Sequence, residues 1–320
     1  MDRLEGEWRA LLARSCVRNV FVSPTWLRVW WEEFADGRQL LLLAARQGLD
    51  LVAVAPFMVD GQRLDYAADT QVCDYTDVTA ARGAEEAAAL AFLHALDENS
   101  LAGWQELTIG AIPEYSPTLE AWPAAAQALG LSASIEVADV CPQVSLPSTW
   151  EEYLGSLAGR DRHELRRKLR RVARGALLEL EELTAPDAIA LALDDFFRLH
   201  IQSRAEKAHF MTESRQRFFR RIVDAFAREG AVRLYFLRLN QVRAASALCF
   251  QGEEDLLLYN SGYDPSFAGL AVGIVSKALV LQRAIALGKR RFDFLRGAEP
   301  YKYDLGARDL KVYRLVIRRP

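Results

Sequence analysis

The sequence predicts an α/β fold in which a mixed, mostly antiparallel sheet is flanked by helices, with two such domains in tandem. One observation is the order of predicted elements in the C-terminal half: a strand, two helices, three successive strands, a long helix and another strand. The second is the stretch 256–306, where the long helix joins two strands. A helix of this kind connects parallel strands, so the antiparallel strands should end in one parallel crossover.

The stretch 256–306 also predicts where the chemistry takes place. Residues 256–261 are apolar and aromatic and end in Asn-Ser-Gly, as a strand that enters a turn does. Residues 270–287 stay apolar apart from a few polar positions, so this helix should be largely buried, with Gly288 at its end. The turn into the helix presents free backbone N–H groups and the positive end of the helix dipole, a geometry that binds phosphate.

Bulk composition indicates a folded protein that is long enough for two domains. The 320 residues are 51% hydrophobic and 26% charged, and the net charge of -3 gives no global attraction to nucleic acid. The four cysteines form no Cys-X-X-Cys pair, and no metal site is predicted. No apolar run reaches about 18 residues, and the N-terminus lacks the apolar core of a signal peptide. We therefore expect a cytoplasmic protein without a membrane span.

The N-terminal half is predicted to start with helices and to continue into a hairpin. Ser23-Pro24 opens a helix whose Trp26 and Trp30 lie one turn apart, a spacing that favours core packing over ligand stacking. The predicted helices are 5–14, 25–34, 84–98 and 122–129. The predicted strands are 39–46, 50–59, 104–109 and 135–146.

The C-terminal half begins with the most basic part of the chain, 160–174. Its apolar residues fall on one helical face, and its arginines either pair with neighbouring acids or form a surface for phosphate. The elements predicted after it are strands 177–183, 232–239, 243–251, 256–261, 292–295 and 311–317 and helices 186–204, 213–229 and 270–287.

This order of elements resembles the GCN5-related N-acetyltransferase (GNAT) superfamily. More narrowly, YNSGYDPSFAGLAVG followed by FDFLRGAEPYK is similar to the branch of CelD-like acyltransferases, which is related to the Fem-type transferases that add amino acids to peptidoglycan precursors. The residues that carry the resemblance are Tyr263, Asp264, Phe292, Asp293, Phe294, Gly297, Tyr301 and Lys302.

The resemblance implies two tandem GNAT-like domains, at 1–155 and 156–320. The strand, turn and strand of 40–57 are similar to those of 233–250, which supports a repeat. The N-terminal half is expected to lack a comparable loop and helix. It would therefore shape the acceptor site, and the second domain would carry the acyl-CoA site.

The resemblance also implies where acetyl-CoA, or another acyl-CoA, would bind. The superfamily's cofactor loop reads Gln or Arg, two residues, Gly, any residue, Gly or Ala, and Ser266 stands where the basic residue is expected. A backbone amide on the preceding strand would polarise the acyl carbonyl. The candidate residues for the donor are Tyr259, Asn260, Ser261, Phe267, Ala268, Gly269, Leu270 and Ala271.

Acyl transfer to an amine needs a base for the amine and a proton donor for the departing thiolate. Asp293 and then Asp264 are the candidate bases, although each could instead cap a helix or pair with an arginine. Tyr301 and Tyr303 are candidate proton donors or simple hydrogen-bonding residues. Lys302 could meet a phosphate or an acidic acceptor, or pair with Asp304.

The expected function is an acyl-CoA-dependent N-acyltransferase that acts on an amine of a sugar, peptide or cell-envelope precursor. A second hypothesis is a Fem-type transferase that uses aminoacyl-tRNA, with residues 160–174 as the RNA contact. The third is a catalytically inactive GNAT-like binding module. His200 and His209 are isolated from each other, and His200 is expected at the edge of the core and not in catalysis.

Overall fold

The computed structural model describes residues 2–98 and 103–320. The chain divides into two structural units. The first unit comprises the chain up to Val140 together with Leu310–Pro320, and the second comprises Cys141–Asp309. The domain limits expected from the resemblance, 1–155 and 156–320, stay a prediction. Among the helices of the described residues, none is both long enough and apolar enough to cross a bilayer.

The elements up to β6 begin with helices and then form a strand meander. The helices are α1 (Glu5–Leu12), α2 (Pro24–Phe34), α3 (Glu85–Glu98) and α4 (Thr118–Ala128). The strands are β1 (Gln39–Gln47), β2 (Asp50–Asp60), β3 (Arg63–Tyr66), β4 (Thr79–Ala80), β5 (Glu106–Pro113) and β6 (Ser132–Ser145).

The elements after β6 follow the predicted order, with short helices added. The helices are α5 (Trp150–Ser156), α6 (Gly159–Gly175), α7 (Pro186–Ser203), α8 (Ala205–Phe210), α9 (Glu213–Arg228), α10 (Val272–Ala286) and α11 (Pro300–Asp304). The strands are β7 (Leu178–Leu183), β8 (Val232–Leu239), β9 (Val242–Gln251), β10 (Asp255–Tyr263), β11 (Arg291–Asp293) and β12 (Arg308–Arg318). A 3₁₀ helix, Pro265–Leu270, precedes α10.

The first unit contains a mixed sheet with strand order β1-β2-β3-β5-β12-β6. The first three strands are antiparallel, whereas β3 and β5 are parallel and are connected through α3. The expectation that the N-terminal half lacks a comparable crossover helix is therefore wrong. The error arose because β3 spans only Arg63–Tyr66, and without a predicted strand before α3 the crossover could not be seen in the sequence.

The second unit has the same plan, with strand order β6-β11-β10-β9-β8-β7. Strands β7 to β10 form an antiparallel meander, and α10 leads to β11, which pairs parallel with β10. This confirms the predicted mixed α/β sheet and its single parallel crossover. In each unit, the strand after the parallel crossover has a second neighbour that is distant in the sequence. Strand β5 pairs with the C-terminal strand β12, and strand β11 pairs with β6.

Several predicted boundaries shift for identifiable backbone reasons. Helix α4 begins at Thr118 and includes Pro123, whose nitrogen cannot donate a helical hydrogen bond. Helix α10 begins at Val272, since Ala271 before it adopts a left-handed conformation with φ of 55°. Strand β11 ends at Asp293, and Leu295, with φ of 58°, lies in the turn that follows.

Aromatic side chains fill the core of the first unit. Trp26 and Trp30 are fully buried, which confirms the prediction that they pack in the core. The other fully buried large aromatic side chains of this unit are Trp8, Trp104, Trp122, Phe21 and Phe57. Aromatic burial on this scale is a major source of core stability.

Two layers of helices cover the sheet of the second unit. Leu258 of β10 packs in the cluster that includes Ala278 and Leu281 of α10. Tyr259 faces the other way and stacks on Phe219 of α9, with ring centroids 5.2 Å apart. Helices α7 and α9 thus cover one face of β10, and α10 covers the other.

Gly262 lets the backbone of α7 approach β10 closely. A β-carbon at this position would lie 2.3 Å from the amide nitrogen of His200 and 2.4 Å from the carbonyl of Leu199. Because these are backbone atoms, neither can rotate away. The strand and the helix would have to move apart to admit any side chain.

Gly262→Ala is therefore expected to lower the free energy of unfolding by about 3 kcal/mol. Urea unfolding followed by circular dichroism measures the change. Gly155→Ala in α5 is the control, because a β-carbon there meets nothing within 4 Å. Equal stability of the Gly262→Ala and Gly155→Ala variants would contradict the close approach of α7.

Candidate active site

The site begins where β10 and β11 separate. The two strands pair only over Asp255–Leu257 and Arg291–Asp293, after which β10 continues to Tyr263 while the chain turns away at Leu295. The pairing of β10 with β9 is interrupted by a bulge at Tyr259. The predicted donor residues Tyr259, Asn260 and Ser261 thus lie on the part of β10 that extends beyond β11.

The ammonium group of Lys302 holds the loop that leaves β11. It donates hydrogen bonds of 2.8 Å to the carbonyls of Leu295, Arg296 and Gly297, and it forms an ion pair of 2.9 Å with Glu299. Lys302 is only 2% exposed. Its contacts are therefore those of a residue that positions the loop, and the proposed contact with substrate stays a prediction.

The two predicted aspartate bases also bind backbone. Asp293 is buried and accepts from the amide of Leu295 at 2.7 Å and from Nε2 of Gln143 at 2.8 Å. Asp264 accepts from the amide and hydroxyl of Ser266 at 2.9 and 2.7 Å, and these bonds lower the pKa of its carboxyl. Both aspartates stabilise turns beside the site, and their catalytic role stays a prediction.

A cavity of about 280 Å³ opens where these elements meet. It lies at the start of α10, beside the end of β10, and also borders α8 and α11. Of the predicted site residues it brings together Ser261, Ala268, Ala271 and Tyr301. Those that do not line it are Asp264, Asp293, Lys302, Tyr303, Tyr259, Asn260, Phe267, Gly269 and Leu270. The remaining lining residues are Arg204, Lys207, Tyr263, Val272, Gly273, Ile274, Lys277 and Glu299.

Lys277 is a cavity residue that sequence reasoning missed. It is 8% exposed, its ammonium donates to the carbonyl of Gly273 at 3.1 Å, and it lies 4.8 Å from the centre of the Tyr301 ring. Burial, with the added repulsion of Lys207 and Arg204, lowers its pKa to about 7. The available signal was a lysine near the middle of a helix that is apolar apart from a few positions.

Lys207 and Arg204 approach the cavity from the short helix α8 and the residue before it. The ammonium of Lys207 donates to the carbonyl of Ser261, and burial followed by the charge of Arg204 lowers its pKa to about 8. Neither residue, nor Lys277, forms an ion pair within the part of the chain that the structure describes. These three cations give the cavity an excess of positive charge.

Glu299 is the carboxylate that lines the cavity, and it too was not predicted. Burial alone would raise the pKa of its carboxyl, but the adjacent Lys302 ammonium outweighs burial and keeps that pKa below its usual value. Glu299 is therefore ionised at neutral pH. Glu299 follows Gly297, where φ is 104°, so a glycine turn delivers it to the cavity.

The two predicted tyrosine proton donors occupy different environments. Tyr301 lines the cavity, and burial raises the pKa of its phenol, so that it stays protonated at neutral pH. Tyr303 donates a hydrogen bond of 2.7 Å to Asp309 on the surface. Of the two, only Tyr301 borders the cavity.

His200 lies within the core and not at its edge, where it was expected. It is 1% exposed, and its Nε2 makes a 2.9 Å hydrogen bond with Oδ1 of Asn260. Burial lowers its pKa to about 4, so the ring is neutral at pH 7. Its other ring nitrogen makes no hydrogen bond within the described residues.

The loop before α10 has the features of an anion site. Helix α10 starts without a side-chain cap, and the first N–H groups of a helix have no partner within it. Gly269 is exposed, and a β-carbon there would meet nothing within 4 Å. These residues could hold the phosphates of a nucleotide cofactor.

Helix α6 lies beside the start of α10. A smaller cavity, of about 70 Å³, is lined by Arg160 and Lys168 of α6 and by Ile274 of α10. The acid pairs expected for this helix are present, since Glu164 contacts Arg167 at 2.7 Å. Further along α6, three exposed arginines form no ion pair within the described residues, namely Arg170, Arg171 and Arg174.

Comparison with known families identifies part of this unit. Residues 159–303 match the family described as Acetyltransferase (GNAT) domain. The match covers the cavity and the loop before α10. No curated protein matches the sequence.

Solved structures resemble the chain over nearly its whole length. FemX shares 12% identity, with a TM-score of 0.68 over 97% of this chain and 95% of FemX. The C-terminal domain of a putative lysylphosphatidylglycerol synthetase from Agrobacterium fabrum shares 12% identity, with a TM-score of 0.58 over 92% of this chain and 91% of that domain. A tandem GNAT protein from the clavulanic acid biosynthesis pathway shares 17%, with a TM-score of 0.51 over 100% and 96%. At these identities the likeness concerns the fold, and it confirms the predicted tandem GNAT architecture.

Lys277→Met is expected to stabilise the protein near pH 7 and to lose that advantage at alkaline pH. The pKa of Lys277 falls from its usual 10.5 to about 7 on folding. Between pH 7 and pH 10.5, Lys277 is protonated in the unfolded chain but largely deprotonated in the folded protein. Its titration therefore makes the free energy of unfolding of the wild type rise with pH. We expect a gain of about 2 kcal/mol near pH 7 that shrinks towards pH 10.

Urea unfolding of the wild type and the Lys277→Met variant at the two pH values measures this difference. Lys311→Met, at an exposed position of β12, is the control for loss of a lysine charge. A gain of equal size at both pH values would show that the Lys277 ammonium is not destabilised by burial.

Proposed function

We propose that the protein is an acyl-CoA-dependent N-acyltransferase that moves an acetyl or other acyl group to an amine of a sugar, peptide or cell-envelope precursor. The observation that carries the proposal is the cavity at the end of β10 and the start of α10, because a helix N-terminus without a side-chain cap and several ionisable side chains converge there. The GNAT domain at 159–303 supports it. In this proposal the acyl-CoA site belongs to the domain 156–320, and the protein is cytoplasmic.

The donor phosphates are assigned to the loop of residues 267–271 and the first turn of α10. Ser266 supplies no charge there, so the backbone N–H groups carry the interaction, with Arg160 and Lys168 of α6 as nearby sources of positive charge. The acyl carbonyl would then face the backbone of residues 259–261 on β10.

The reaction forms a bond between the acceptor nitrogen and the acyl carbon and breaks the bond between that carbon and sulfur. The amine must first lose a proton, and Glu299 is the carboxylate placed in the cavity to take it, directly or through water. Asp293 and Asp264 remain candidate bases. Tyr301, which stays protonated, can give its proton to the departing thiolate, and Tyr303 remains a second candidate.

Coenzyme A is expected to bind the full-length chain in isothermal titration calorimetry, and Gly269→Asp to weaken binding about tenfold, because its carboxylate repels the phosphates. A side chain at this position meets no other group, so the fold should be unaffected. Gly269→Asn, which has the same shape without the charge, is the matched control. Absence of binding to the wild type, or equal affinities of the Asp and Asn variants, would contradict this donor site.

A Fem-type transferase that uses aminoacyl-tRNA is the second candidate. Two observations favour it: the fold shared with FemX and with a lysylphosphatidylglycerol synthetase domain, and the exposed arginines at the end of α6. The RNA backbone would then extend from the start of α10 along α6. If neither coenzyme A nor tRNA binds, the third hypothesis, an inactive GNAT-like module, is favoured.

Under this second candidate, tRNA binding should weaken strongly with salt. Arg170→Gln/Arg171→Gln/Arg174→Gln should then reduce the slope of log K against log salt by roughly one for each RNA phosphate that these arginines neutralise. Fluorescence anisotropy with labelled aminoacyl-tRNA measures the slope. The control removes three exposed arginines from α9, namely Arg217, Arg221 and Arg228. Equal slopes for the two triple variants would exclude α6 as the RNA contact.

A further inference from the structure

We propose that part of the cavity is an oxyanion subsite for the acceptor, formed by Lys277, Lys207 and Arg204, so that the acceptor is an amine that also carries a carboxylate or phosphate. This inference rests on the proposed transferase function. It names the class of acceptor that this function would use.

The balance of charge in the cavity carries the inference. Lys277, Lys207 and Arg204 all line it, and none of them forms an ion pair within the described residues. The carboxylate that lines it, Glu299, is already paired with the buried Lys302 ammonium at 2.9 Å. Within the described residues the cavity is therefore lined by more cationic than anionic groups, and a bound oxyanion would offset this excess.

The hydrogen bonding of the lysines leads to the same conclusion. An ammonium group has three donors, whereas the contacts of the Lys277 and Lys207 ammonium groups are with the carbonyls of Gly273 and Ser261. Lys277 is 8% exposed, and an ammonium group buried in this way costs free energy unless it is paired. A bound oxyanion would supply both the charge and the hydrogen-bond acceptors that the protein lacks at this point.

Two of the three cations enter from the side away from the donor loop, which assigns the subsite to the acceptor, whereas Lys277 comes from α10 itself. The donor phosphates are placed at residues 267–271, on the α10 side of the sheet. Arg204 and Lys207 come instead from the end of α7 and from α8, and α7 packs against the opposite face of β10 at Gly262. A cavity of about 280 Å³ suits a ligand portion the size of an amino acid or a sugar phosphate.

Binding of matched pairs of amines to the full-length protein tests the proposal. L-alanine is compared with L-alaninamide, and glucosamine 6-phosphate with glucosamine, by calorimetry with and without coenzyme A. The acidic member of at least one pair is expected to bind about tenfold more tightly. The pair that shows the preference tells whether the oxyanion is a carboxylate or a phosphate. Equal binding within both pairs, or no binding of either acidic compound, overturns the proposal.

Variants locate the preference within the cavity. Lys277→Met and Lys207→Met are expected to remove it, whereas Lys311→Met on β12 should retain it. A preference that persists in both cavity variants overturns the proposal. A preference for succinyl-CoA over acetyl-CoA that is lost in these variants, without any preference between the amines, would assign the anion to the acyl group and also overturn it.

The same titrations separate this inference from the proposed function. Coenzyme A binding without a preference for acidic amines leaves the transferase proposal intact and removes the subsite. A preference for acidic amines that Lys277→Met abolishes, without coenzyme A binding, supports the subsite and removes the acyl-CoA donor.

Discussion

The ammonium group of Lys302 is the interaction on which the site depends most directly. Three carbonyls and one carboxylate surround it, so the loop after β11 has one well-defined conformation. Hydrogen bonds to a charged group contribute about 1.5–3 kcal/mol each, enough to offset much of the cost of burying the charge. Because the loop turns here, β10 extends beyond β11, and Glu299 and Tyr301 reach the cavity. Lys302 therefore determines the position of residues in the cavity wall, although it does not itself border the cavity.

The bulge at Tyr259 is the second constraint, since it changes the direction of side chains along β10. Leu258 packs with α10, and regular alternation would direct Asn260 and Gly262 to the same face. The inserted residue directs them instead to α7, where Asn260 binds His200 and Gly262 admits the helix backbone. The strand can thus pack against α10 at its start and against α7 near its end, which brings both helices to one cavity.

The sequence predicted the parts of this arrangement that depend on local pattern. Apolar periodicity indicated the long helices and the meander, and the family motif singled out Asp293, Tyr301 and Lys302. The motif did not predict that Asp293 and Lys302 bind backbone. Arg204, Lys207, Lys277 and Glu299 were missed because they come from separate elements, two of them short, and become a charge cluster only after folding. Likewise, β3 was too short to show that the first unit has its own crossover.

Positive charge is distributed differently between the proposed donor site and the proposed acceptor site. At the donor loop, where the GNAT pattern has a basic residue, Ser266 is neutral, so binding there relies on backbone N–H groups that any phosphate can use. Inside the cavity, Lys277, Lys207 and Arg204 form no ion pair within the described residues, and burial of the two lysines costs stability. Uncompensated charge of this kind weakens a fold and is retained where function needs it. The protein should accordingly discriminate between acceptors, because an amine without a carboxylate or phosphate would leave these cations without an anionic partner.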